Sequence, residues 1–193
     1  GVPAHNRLFV AAAKAFAAKT GLDANALQKT WLPGPAKLLL NDMEYGWSRR
    51  MVAHLRKVGV RVPIATGHMW GGNTHFSLPA LTAGELTDVH TYERGEFLVR
   101  NPLYEGDFAQ YIAASQVAGR PLTVTEWNAE DNARPRDPFT EPLYLGAVAA
   151  FQGWDAPMLY GYSQDALRGG GISAWSSHNH PGIMGLMPAA ALL

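Results

Sequence analysis

The sequence predicts an α/β fold in which parallel strands alternate with helices and curl into a barrel. Three observations predict it. From residue 36 onward, apolar patterns of helical period alternate with short β-branched runs, which implies βαβ units and a parallel sheet. Successive runs then end in aromatic and hydrogen-bonding residues: Trp70 and Asn73, His90 and Tyr92, Glu126, Trp127 and Asn128, and finally Tyr162. In a parallel barrel all such ends face one rim, where the chemistry takes place. Lastly, no linker and no internal repeat divides the chain. Residues 1–193 therefore read as a single domain, with a helical lead-in over 1–35.

Taken in order, residues 7–18 place Leu8, Phe9, Ala12, Ala13 and Phe16 on one helical face, and Gly21 supplies the stop. Asp23 can cap a short helix through about Trp31 before the break at Pro33-Gly34-Pro35. A long helix follows from Ala36 to about Val58, since Leu40, Met43, Trp47, Met51 and Leu55 recur every three to four residues. Strands are expected over 60–66, 86–92, 121–128 and 156–162, with helices near 79–83, 108–117 and 140–151 between them. The apolar stretch 183–193 begins a last helix.

Composition narrows the function. Sixteen basic residues balance sixteen acidic ones, so no basic field points to nucleic acid or to an anionic membrane. The absence of cysteine excludes disulfides, zinc–thiolate sites and thiol nucleophiles within the chain. No apolar run reaches the roughly 18 residues of a membrane span. The first twenty residues do not read as a signal peptide, and a mature secreted or periplasmic protein would look the same. Six Trp, seven Tyr and seven Phe suit platforms for sugar rings as well as a core.

The most informative stretch is Pro121-Leu-Thr-Val-Thr-Glu-Trp-Asn128, an apolar strand ending abruptly in acid, aromatic and amide. Thr125-Glu126-Trp127-Asn128 resembles the nucleophile segment of retaining glycoside hydrolases of the large (β/α)8-barrel clan, which includes cellulases, mannanases, β-xylosidases and agarases. Three further segments share the resemblance. Arg49–Ile64 looks like helix 4 entering strand 5, Asp88-Val-His-Thr-Tyr92 like strand 6, and Ala149–Pro157 like the run into strand 8. The likeness spans about residues 36–193 and implies that the chain covers strands 5–8 of a TIM barrel. It implies that Glu126 is the catalytic nucleophile and Tyr92 its hydrogen-bonding aromatic. It matches Trp70, Asn73, His90 and Tyr162 to substrate-binding positions. Trp127 and Asn128, beside the acid at the same strand end, and Trp175, an aromatic in the 165–182 loop, are read as further substrate-binding residues from the sequence itself, with no cofactor and no metal expected. The expected partner is a carbohydrate cleaved at its β-glycosidic bonds.

Retention requires two carboxyl groups about 5–5.5 Å apart. In this clan the acid/base glutamate follows an asparagine, yet no Asn-Glu pair occurs in the chain. A whole barrel takes about 250 residues. The expectation is therefore a second half-barrel, whose acid/base comes from a complementary N-terminal half-barrel segment. Asp42 or Glu44 would serve instead if 38–44 were a strand, against which the unbroken helical spacing speaks. Two other functions fit the residues: a non-catalytic carbohydrate-binding barrel, and a metal-dependent hydrolase using His68, His90 and His178 or His180.

Overall fold

The computed structural model describes residues 2–27, 34–70, 74–93, 108–129, 141–164 and 175–193. Two compact units emerge, one formed by Gly1–Thr66 and Asn73–Gly84, the other by Gly67–Gly72 and Glu85–Leu193.

The first unit is helical. Helix α1 (Pro3–Thr20) starts with proline at its first turn, where no amide partner is needed, and stops at Gly21 in the left-handed conformation with φ 73°. Helix α2 (Pro35–Lys57) follows, and the short α3 (Leu78–Leu81) is entered through a 3₁₀ turn at Thr74–Ser77. Helices α1 and α2 bury small residues, namely Ala13, Ala17, Ala36 and Ser48. The α2 stripe expected to face a core is exposed instead: Leu40 at 48%, Met43 at 58%, Trp47 at 55% and Met51 at 40%. Over 23–27, the described part of the helix expected from Asp23, there is instead a turn in which the Asp23 side chain accepts from the Asn25 amide, a local bond that competes with helix propagation; the rest of that expectation lies outside the described residues.

The second unit carries the sheet. Strands β1 (Thr87–Glu93), β2 (Leu122–Ala129) and β3 (Ala156–Leu159) pair in parallel in the order β1-β2-β3. Helix α4 (Phe108–Ala113) precedes β2, α5 (Glu141–Gln152) links β2 to β3, and α6 (Pro181–Ala190) ends the chain. Val89, Leu122, Val124, Ile112, Leu145 and Ile183 are all fully buried and form the core between sheet and helices. At Gly146 a Cβ would lie 3.1 Å from the Ala190 carbonyl oxygen, so this glycine lets α5 and α6 approach closely.

The structure overturns the expected barrel and the assignment to its strands 5–8. Among the described residues it is a small α/β fold with a three-stranded, all-parallel sheet. Residues 60–66, expected as a fourth strand, make none. Pro63 cannot donate to a ladder, Val62 is 67% exposed, and the Arg56 guanidinium occupies the Val60 and Val62 carbonyls at 2.7 and 3.0 Å. Ladder contact resumes only at Met69, which bridges Val89 of β1. The complementary half-barrel rested on the barrel and is not carried further.

Candidate functional site

A register shift in β2 builds the site. Asp88 pairs with Thr123 and His90 with Glu126, two steps on β1 against three on β2. The β3 side shows the same surplus, since Val124 pairs with Pro157 and Trp127 with Leu159. Strand β2 thus bulges at Thr125. Adjacent strand residues ordinarily point to opposite faces, and a bulge re-aims them. Here Thr125 and Glu126 both reach the same imidazole: His90 Nε2 lies 2.9 Å from Thr125 Oγ1, and His90 Nδ1 lies 3.2 Å from Glu126 Oε2.

Asp88 fills the gap the bulge leaves in the ladder. Its Oδ1 accepts from the Thr125 amide at 3.1 Å and the Thr123 hydroxyl at 2.8 Å, and its Oδ2 accepts from the Thr125 hydroxyl at 2.6 Å. These bonds allow a carboxylate only 6% exposed to sit within a sheet. On the far side of the imidazole, the Tyr92 hydroxyl donates to Glu126 Oε2. Burial, and then the neighbouring His68, pull the His90 pKa below its ordinary 6.5 against the raising influence of Glu126 and Asp88.

The carboxylate of Glu126 stands on the wall of a cleft of about 500 Å³, with its side chain 32% exposed. His68, Trp70, His90, Tyr92, Tyr160, Gln164 and Trp175 complete the lining. Tyr92, Tyr160 and Trp175 meet edge to face, with centroids 5.4–6.4 Å apart, and Gln164 donates to the Tyr160 hydroxyl at 2.6 Å.

Of the residues the sequence singled out, Glu126, Tyr92, His90, Trp70 and Trp175 come together in this cleft. Trp127 lies elsewhere, 3% exposed in the core, because it follows Glu126 directly and strand alternation turns it to the opposite face. Asn128 is 1% exposed and donates its amide to the Tyr160 carbonyl, tying β2 to the end of β3. Tyr162 is 60% exposed and packs on His178. Asn73 lies outside the described residues. Sequence reasoning passed over Asp88, Thr125, Tyr160 and Gln164. Asp88 was open to detection, since it sits two residues before His90 and thus on the same strand face; Thr125 was not, because alternation assigns it to the other face.

Among the described residues, His68, Asp88 and His90 hold ligand atoms within 4.8 Å of one another. Their geometry does not suit a shared metal. The two imidazoles are stacked at 3.7 Å with planes 5° apart. A metal bonds in the plane of an imidazole, and parallel stacked planes share no point. The other histidines named for a metal are engaged elsewhere: His178 Nδ1 lies 3.1 Å from the Tyr162 carbonyl, and His180 Nδ1 accepts from the Ile183 amide at the start of α6.

Comparison with known protein families, with curated proteins and with solved structures gives no match.

Proposed function

We propose that the protein is a glycoside hydrolase in which Glu126 is the nucleophile. One observation carries the reading: a partly exposed carboxylate within β2, held by a tyrosine hydroxyl, in a cleft walled by aromatic rings. Tyr92 and His90 both contact Oε2, which leaves Oε1 as the oxygen that attacks. In the first step Oε1 bonds to the anomeric carbon, the glycosidic C–O bond breaks, and the departing oxygen takes a proton from a general acid. In the second, water attacks the same carbon, gives a proton back to the group that served as general acid, and the bond to Oε1 breaks to free Glu126. Trp70 and Trp175 supply flat faces for sugar rings. Among the described residues Glu126 is the one carboxylate that lines the cleft, so the general acid is assigned to a group outside them.

The test is a panel of 2-deoxy-2-fluoro β-glycosides carrying a good leaving group, followed by peptide mass spectrometry. A glycosyl adduct on Glu126 is expected. Labelling of a different residue would sink the assignment, and sugar binding with neither labelling nor turnover would establish a carbohydrate-binding protein instead.

A further inference from the structure

Between the buried carboxylate of Asp88 and the exposed one of Glu126 lies an unbroken chain of contacts: Asp88 Oδ2, Thr125 Oγ1, His90 Nε2, then across the ring from His90 Nδ1 to Glu126 Oε2. Hydrogen bonding settles its direction. A threonine hydroxyl has one hydrogen, and here it goes to Asp88. Thr125 Oγ1 can then only accept from His90, so the hydrogen sits on Nε2. A neutral imidazole has one N–H, so Nδ1 presents a lone pair. That lone pair faces a carboxylate oxygen at 3.2 Å, and such a contact is attractive only when a proton lies between the two.

We propose that Asp88 and Thr125 are positioning residues that fix His90 as its Nε2–H tautomer, so that Nδ1 and Glu126 Oε2 hold a single dissociable proton between them. With the proton present, Glu126 is neutralised where it must react. Once it leaves, the lone pair at Nδ1 disfavours charge on Oε2 and drives it toward Oε1. This consequence rests on Glu126 being the nucleophile; the tautomer itself does not. The ionisable groups facing the pair are Asp88 and Tyr92 from β1, and His68, stacked on the His90 ring. Tyr160, from the end of β3, lines the same cleft.

The experiment is long-range ¹H–¹⁵N NMR on the full chain labelled with ¹⁵N-histidine, with the His90 signals assigned through His90→Gln. In the wild-type protein, above the titration midpoint, His90 is expected as the Nε2–H tautomer. In Asp88→Leu the Thr125 hydroxyl loses its acceptor and turns its hydrogen to Nε2, so His90 is expected to switch to Nδ1–H. In Glu126→Gln the midpoint of His90 is expected to move to lower pH, because a carboxylate that favours the protonated ring is gone. An Nδ1–H tautomer in the wild-type protein overturns the proposal even if Asp88→Leu does not fold, and so does an unchanged midpoint in Glu126→Gln. None of these readouts needs turnover. Failure of the fluoroglycoside to label Glu126 would remove the glycosidase reading and leave the tautomer standing.

Discussion

The two flanks of β2 are built from similar residues and do different work. Toward β1, polar side chains bond to one another as well as to the main chain: Asp88 to Thr123 and Thr125, Thr125 to His90, and Tyr92 to Glu126. Toward β3, they bond to the main chain. Asn128 donates to the Tyr160 carbonyl, the Ser177 hydroxyl to the Gly161 carbonyl at 3.1 Å, and the Leu122 amide to Asp155 Oδ2 at 2.9 Å. A side chain committed to backbone is a strut, because its partner cannot change protonation. Side chains joined through ionisable groups form a network whose state can change. On the proposed function the first is the reacting flank and the second the supporting one, and substitutions on the two should fail in different ways.

The largest effect is expected from Glu126→Ala. With Glu126 as the proposed nucleophile, its loss should lower kcat by roughly 10⁴-fold or more, while the midpoint of urea unfolding moves little because the side chain is partly exposed. Normal turnover in this variant would remove Glu126 from the reaction. Tyr92→Phe comes next. A hydrogen bond to a charged group contributes about 1.5–3 kcal/mol, which as lost transition-state stabilisation is roughly a 10- to 100-fold drop in kcat/KM. On the supporting flank Asn128→Leu should invert the pattern. It deprives the Tyr160 carbonyl of a donor and adds bulk to a closed site, at about 1–3 kcal/mol of stability. Denaturant titration would show this, and full stability would mean that the strut is dispensable.

The layers of the second unit were legible in the sequence, and their closure was not. Strands at Thr87–Glu93 and Leu122–Ala129 fall within a residue or so of where β-branched alternation put them. Alternation of helix and strand patterns reports which elements stack; it holds no information on whether a sheet meets its own far edge. Residues 60–66 show why the count of strands went astray. Val60, Val62 and Ile64 have strand propensity, but Arg56, one turn back on α2, takes the carbonyls that a neighbouring strand would need. The site was legible in the same uneven way. Glu126 stood out as an acid closing an apolar run. Its connection to Asp88 depends on one extra residue in β2, and a bulge changes the facing of side chains without any change in composition.

The cleft wall offers a smaller test of the same contrast. Trp70 is 58% exposed, so Trp70→Ala should change stability by no more than about 0.5 kcal/mol. If its face carries a sugar ring, the loss is about 1 kcal/mol of binding, or roughly fivefold in KM with kcat unchanged. An unaltered KM would assign Trp70 to loop packing.

The smallest effect lies in the pH dependence of stability, and it probes the reacting flank without any substrate. In the folded protein the His90 pKa lies below 6.5, chiefly because burial disfavours the imidazolium. Between that lowered value and 6.5 the unfolded chain therefore binds more protons at this position than the folded one, so folding stability falls as the pH drops through the interval. Above 6.5 both states are neutral here and the contribution is fully present; below the folded value it is lost and stays constant. The other histidines titrate in the same region, so the informative quantity is the difference between wild type and His90→Gln across a series of urea titrations. The wild-type protein should lose stability relative to the variant as pH falls from 7 toward 5. Parallel curves would show that burial and the stacked His68 ring do not shift the proton affinity of His90, and the reacting flank would then behave as a second set of struts.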